Sequence, residues 1–171
     1  TVTFIVPDEF PDFLNWLEGR EEILIYTQNN GLAKHKIQSA QLSFSLDYNG
    51  MKRIGDMGNI LKKTTIPKIL IDHHQEPEDF AVFKYWDVKA SSTAQLVYDF
   101  ITEFGLREKI SKSMAEAIYT GIVTDTGSFR FPVTNEHTHK TIAHLIECGA
   151  VPHEIHNKIY DTNEVDRLRL I

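Results

Sequence analysis

Cysteine is almost absent from this sequence of 171 residues, which contains one, Cys148. A single cysteine excludes an internal disulfide, and such scarcity is typical of proteins that work in a reducing compartment. We therefore expect a cytoplasmic protein. Cys148 lies in a helical pattern just before Gly149, which predicts a small buried side chain and not a nucleophile.

Long hydrophobic runs and an excess of basic residues are absent as well. No apolar run approaches the roughly 20 residues that cross a bilayer, so we expect no membrane partner. The 18 Lys and Arg residues are outnumbered by 24 Asp and Glu residues, which gives a net charge of −6. This balance argues against an extended surface that binds a long nucleic acid, because such a surface requires a continuous row of basic residues. A small anionic substrate remains compatible with it, because divalent cations held by the acids would reverse the local charge.

The stretch Ile69–Gln75 carries the strongest functional signal in the sequence. Three apolar residues, which predict a short buried strand, lead directly into Asp72, His73 and His74. Ligands of open parallel α/β sheets bind at the carboxyl ends of the strands, so these side chains are predicted to lie where chemistry occurs. An ordinary loop, in which Asp72 only orients an imidazole, is the alternative. The grouping of three ionisable side chains favours a metal or phosphate site.

Two further acids fall at the ends of predicted elements. Asp47 follows the predicted strand 41–46, and apolar residues at steps of three and four then predict a helix over 51–61. Asp125 lies where a helical pattern breaks, and either acid could be a plain turn residue. The alternation of strands and helices predicts an α/β fold with a mainly parallel central sheet flanked by helices.

Three stretches, Ser45–Asn49, Ile69–His74 and Gly121–Gly127, resemble in order and spacing three motifs of the DHH phosphoesterases. The sequence is most similar to the branch of nano-RNases and pAp phosphatases. This resemblance implies a metal-dependent phosphoesterase that hydrolyses phosphate esters of small nucleotides or very short oligonucleotides. A non-catalytic binding or regulatory module of the same fold, and a pyrophosphatase, are the alternatives.

The resemblance also implies a metal site. It assigns Asp47, His73 and Asp125 as ligands of two divalent cations, with the two acids in bridging positions. The mixed oxygen and nitrogen set suits Mn²⁺ and accepts Mg²⁺.

The same resemblance assigns catalytic and substrate-binding roles. His74 would contact the substrate phosphate and stabilise charge during attack, and Asp72 would fix the orientation of an imidazole. Arg130 is a further candidate for substrate binding, although an ion-paired or solvated arginine is the alternative.

Two parts of the family pattern have no counterpart in this sequence: the first motif, with one His and two Asp, and the C-terminal substrate-binding domain. We therefore expect residues 1–171 to be a single DHH-type domain, truncated on the N-terminal side and before a second domain. With few ligands, this fragment is expected to bind metal weakly and to turn over little substrate. A homodimer is compatible with the sequence.

Other polar residues are explained without a functional role. Ser92, with Gln95 three residues later, predicts a capping box at a helix start. Ser91–Thr93 resembles a stretch near the site of the DHH family, and capping is enough to explain it. Three histidines of one later helical segment, His137, His139 and His144, are predicted to be surface or packing residues because no acid is matched to them.

Overall fold

All strands found among residues 1–161 pair in parallel. The computed structural model describes residues 1–161. The sequence pattern over 163–171 predicts a further helix, and this stretch lies outside the described residues. A two-stranded sheet contains β1 (Ile5–Val6) and β2 (Leu24–Ile25). A three-stranded sheet has the order β3 (Ser43–Leu46), β4 (Lys68–Asp72) and β5 (Phe83–Trp86).

Six α-helices, described by the same residues, complete the fold. They are α1 (Asn30–Ser39), α2 (Gly55–Lys62), α3 (Thr93–Glu103), α4 (Lys112–Asp125), α5 (Glu136–Glu147) and α6 (Pro152–Tyr160). Short 3₁₀ turns occur at Asp12–Leu14, Arg20–Glu22, Met51–Ile54 and Arg107–Lys109. The predicted α/β class with a parallel sheet is confirmed.

The register of the three-stranded sheet brings its polar residues to one edge. Leu46 at the end of β3 pairs with Ile71, and Asp72 at the end of β4 pairs with Trp86. The middle of β4 is fully covered, since Leu70 and Ile71 are 0% and 2% exposed. Burial on both faces explains the continuous apolar run Ile69–Ile71 in the middle of this strand, between Lys68 and Asp72.

Side-chain caps determine where three helices begin. Ser92, Ser111 and Asn135 each accept a hydrogen bond from the backbone N–H three residues later. Such caps satisfy donors that a helix start leaves free. The predicted capping box at Ser92 forms only in half, because the Gln95 side chain turns away and accepts a hydrogen bond from Ser91 Oγ at 2.6 Å.

Apolar side chains fill the space between the helices and the sheets. One cluster joins α3, α4, α5 and α6, and its fully buried members include Ile122, Val123 and Leu145. A second cluster packs α1 and α2 against the chain around Tyr26. Among residues 1–161, no helix combines the length and apolar character needed to cross a membrane.

Candidate metal centre

Three distant parts of the chain meet at the carboxyl edge of the three-stranded sheet. Asp47 directly follows β3, His73 and His74 follow β4, and Asp125 is the last residue of α4. His73 Nε2 lies 3.1 Å from Asp125 Oδ2 and 3.9 Å from Asp47 Oδ1. His74 Nδ1 is also 3.9 Å from that Asp47 oxygen. We call these four residues the edge cluster.

The backbone holds Asp47 in an unusual conformation. Its φ angle is 65°, in the left-handed region that L side chains rarely adopt, and its N–H donates to Ile71 O at 3.1 Å. The loops after β3 and β4 are joined as well, since Asn49 Nδ2 donates to Gln75 O at 2.8 Å. These bonds fix the position of Asp47 relative to the two histidines.

A backbone contact sets the orientation of His73. Its Nδ1 lies 3.3 Å from the carbonyl oxygen of Ala90, which can only accept, so the ring proton is on Nδ1. In the neutral imidazole, Nε2 then presents a lone pair to the Asp125 carboxylate. Two acceptors at this distance require a proton or a cation between them.

His74 is held by a buried carboxylate. Asp72, which is fully buried, accepts a hydrogen bond from His74 Nδ1 at 2.7 Å. Trp86 Nε1 donates to the His74 carbonyl at 2.7 Å and anchors the backbone of the same residue. The arrangement leaves His74 Nε2 as the ring atom without a proton in the neutral form.

Negative charge at this edge is incompletely compensated by the protein. Asp72 Oδ2 is buried without a hydrogen-bond partner among the described residues. Burial raises the pKa of the Asp125 carboxyl, and the charge of Asp47 raises it further, while His73 and His74 act in the opposite direction. Acids that repel one another when ionised are stabilised by a nearby cation.

The donor set of the edge cluster fits a divalent cation. Ligand atoms of Asp47, His73 and His74 all lie within 4.8 Å of one another. Asp125 joins this group through His73. Carboxylate oxygens together with neutral imidazoles are suitable ligands for first-row divalent metals. His74 belongs to the compact group, but its Nδ1 is occupied by Asp72, so only Nε2 can face a ligand.

Arg130 lies on the turn after α4, five residues beyond Asp125. Its side chain is exposed, and Nε donates to the Gly127 carbonyl at 2.7 Å. This turn contains three successive left-handed residues, Gly127, Ser128 and Phe129, with φ angles of 54°, 62° and 65°. The substrate-binding assignment of Arg130 stays a prediction.

Capping does not account for the whole stretch Ser91–Thr93. Thr93 Oγ1 donates a 2.7 Å hydrogen bond to Asp47 Oδ1, across 46 residues of chain. Sequence reasoning missed this contact, because its only signal was the resemblance of the stretch to one near the site of the family.

Two further interpretations require correction. An acid is in fact matched to His137, whose Nε2 lies 2.8 Å from Asp99 Oδ1. His144 is a packing histidine as expected, buried against Tyr98. Cys148 is only half-buried, with Sγ 3.6 Å from His144 Nε2.

A carboxylate and imidazole cluster at the carboxyl edge of a parallel sheet defines the class of site as a candidate divalent-metal centre. Comparison with known sequences then gives the family. The profile of the "DHH family, N-terminal domain" matches residues 2–122, so the chain belongs to the DHH family. The resemblance inferred from the sequence motifs is confirmed.

Related proteins share this part of the chain. The bifunctional oligoribonuclease and PAP phosphatase NrnA of Bacillus subtilis is 37% identical over 94 residues, which are 54% of this chain and 30% of that protein. A protein of Streptococcus mutans named as a probable NrnA is 35% identical over 138 residues, 78% of this chain and 38% of its own length. The chain thus spans about a third of these relatives.

A solved structure resembles the whole described fold. The crystal structure of an exopolyphosphatase-related protein from Bacteroides fragilis matches with a TM-score of 0.95 and 40% identity. The match covers 97% of this chain and 49% of that one.

Proposed function

We propose that the full-length protein is a metal-dependent phosphoesterase that hydrolyses phosphate esters of small nucleotides or very short oligonucleotides. The observation that carries this proposal is the edge cluster, in which Asp47, His73, His74 and Asp125 are gathered from three separate segments. The names of the relatives, oligoribonuclease and PAP phosphatase, support this class of substrate.

Within the proposal, Asp47, His73 and Asp125 hold the divalent cations. The Nδ1 proton of His73 is directed to the Ala90 carbonyl, so its Nε2 is free to ligate. Bound cations would supply an acidified water and stabilise charge on the phosphate oxygens. We propose two cations and Mn²⁺ as the preferred one, with Mg²⁺ as a substitute, because the set mixes nitrogen and oxygen ligands.

His74 is the proposed catalytic residue beside the metal ligands. Its bond to buried Asp72 fixes the tautomer and the plane of the ring, and the imidazolium form would donate from Nε2. His74 can therefore contact a phosphate oxygen through Nε2 and stabilise the charge that develops as the ester bond breaks. Asp72 acts as a positioning residue, and Arg130 is proposed as an exposed contact for substrate phosphate.

The remaining proposals concern the whole protein. We propose that it carries a second substrate-binding domain and the missing first motif outside residues 1–171, which is supported by the coverage of its relatives. A cytoplasmic location is supported by the single cysteine.

The test is an assay of the purified full-length protein on pAp, a dinucleotide and pyrophosphate, with Mn²⁺ or with excess EDTA. We expect Mn²⁺-dependent release of phosphate from pAp and of mononucleotides from the dinucleotide. Hydrolysis of pyrophosphate alone would replace this proposal with a pyrophosphatase. Nucleotide binding without hydrolysis under any metal would replace it with a binding module.

A further inference from the structure

We infer that Thr93 is a positioning residue that selects the oxygen which Asp47 presents to the metal ions. This inference rests on the proposed function, because it concerns the ligand role proposed for Asp47. The observation behind it is the hydrogen bond from Thr93 Oγ1 to Asp47 Oδ1, 2.7 Å long.

The contact involves the oxygen that faces the histidines. Asp47 Oδ1 is the atom measured at 3.9 Å from both His73 Nε2 and His74 Nδ1. A donor bound to the same oxygen fixes the carboxylate rotation in which that oxygen points into the edge cluster.

Asp47 needs such a restraint because little else holds its side chain. The side chain is 59% exposed, and its only hydrogen bond within residues 1–161 is the one from Thr93. Rotation about its side-chain bonds would otherwise move the carboxylate into solvent, at a cost in ordering when a cation binds.

Thr93 itself is rigidly placed. It is 5% exposed and is the first residue of α3, directly after the Ser92 cap, which accepts from Gln95 N at 3.0 Å. Its β-branched side chain has few rotamers, so the hydroxyl is directed at Asp47 before any ligand arrives. The cap on Ser92 is independent of the Thr93 hydroxyl, which allows the two roles to be separated by mutation.

The experiment measures Mn²⁺ affinity calorimetrically in the full-length protein with no substrate present. Thr93→Val removes the hydroxyl and keeps the shape, whereas Thr93→Ser restores the donor. We expect the Mn²⁺ dissociation constant to rise about 10-fold or more in Thr93→Val, the range found when partners of metal ligands are removed. In Thr93→Ser we expect most of the affinity to return. The thermal midpoint of each metal-free variant reports its folding.

Thr124→Val is the matched control. Thr124 adjoins Asp125, but within residues 1–161 its hydroxyl donates only to the helix carbonyls of Thr120 and Gly121, at 3.0 and 3.1 Å. The same substitution there should leave the Mn²⁺ dissociation constant unchanged.

Three outcomes would overturn the inference. Wild-type affinity in a folded Thr93→Val protein would show that the hydroxyl has no part in metal binding, while leaving the proposed function intact. Equal losses in Thr93→Val and Thr93→Ser would show that the contact is packing only. A wild-type protein that neither binds Mn²⁺ nor hydrolyses nucleotides would remove the proposed function and this inference together.

Discussion

Two groups of buried polar side chains differ in how completely the fold satisfies their hydrogen bonds. The first is Asp72, which is fully buried although its Oδ2 has no hydrogen-bond partner among the described residues. The second is the glutamine network, which we define as Ser91, Ser92, Gln95 and Thr138.

The glutamine network is well satisfied. Gln95 Oε1 accepts from Ser91 Oγ at 2.6 Å and from Thr138 Oγ1 at 2.8 Å, and it thereby joins α3 to the start of α5. Buried polar groups stabilise a fold when they are paired and cost free energy when they are not. The hydrogen bonds of the glutamine network are thus completed within the fold, whereas Asp72 leaves one oxygen without a partner among the described residues, and the role proposed for it is to position His74.

The largest effects should follow from removing the two histidines of the edge cluster. In His73→Ala we expect Mn²⁺ affinity and turnover to be lost together, because Nε2 is a proposed ligand. In His74→Ala we expect near-normal Mn²⁺ content and turnover of pAp reduced by about 10²–10⁴-fold. Calorimetry and initial rates in the full-length protein measure both. Equal metal content with equal loss of activity in the two variants would contradict the division of roles.

Asp72→Asn tests whether the buried carboxylate of Asp72 serves the activity or the stability of the protein. Removing the charge weakens the orientation of His74, so we expect turnover to fall by about 10–100-fold. The free energy of unfolding should change by less than about 1 kcal/mol, since one carboxylate oxygen had no partner to lose. Initial rates and urea denaturation provide the two measurements. A variant with full activity and a large loss of stability would make Asp72 a structural residue.

Gln95→Leu tests whether the glutamine network stabilises the fold. The substitution removes the acceptor of the Ser91 hydroxyl and the nearer of two acceptors of the Thr138 hydroxyl, so we expect unfolding to become easier by about 1–3 kcal/mol. Mn²⁺ affinity should be unchanged within about twofold. Gln28→Leu, at an exposed glutamine, is the control and should shift stability by no more than about 0.5 kcal/mol. If Gln95→Leu abolished metal binding and left stability intact, the glutamine network would serve the metal site and not the fold.

The smallest expected effect concerns Cys148, which belongs neither to the edge cluster nor to the glutamine network. Burial raises the pKa of its thiol, and the carboxylates of Glu108 and Glu147 raise it further. The reactive thiolate is therefore scarcer near pH 8 than in a free cysteine, and alkylation should be slower and should accelerate only at higher pH. Iodoacetamide labelling followed by mass spectrometry, with glutathione as the reference, measures this rate. Labelling as fast as that of glutathione would show an activated thiol.

The sequence contained enough information to predict the elements that local patterns determine. The apolar run of β4 and the polar residues after it predicted both the strand and the edge at which Asp72, His73 and His74 lie. The helix start at Ser92 followed from capping preferences alone. These features depend on residues that are neighbours in sequence.

Contacts between distant segments could not be predicted in the same way. The bond from Thr93 to Asp47 spans 46 residues, and the pair of His137 and Asp99 spans 38. Neither residue type nor spacing signals such a pair, since the helices must first be packed before the side chains meet. The direction of the Gln95 side chain was missed for the same reason, because its partner Thr138 belongs to another helix.

The left-handed backbone of Asp47 has an evolutionary consequence. At a φ of 65°, glycine is the residue that this position accommodates at least cost, and L side chains there cost about 1 kcal/mol or more. Drift under selection for stability alone would therefore replace Asp47 with glycine. In a descendant that had lost its chemistry, this is among the first sites where we expect the aspartate to disappear, and Asp47→Gly would then mark the loss while the fold persists.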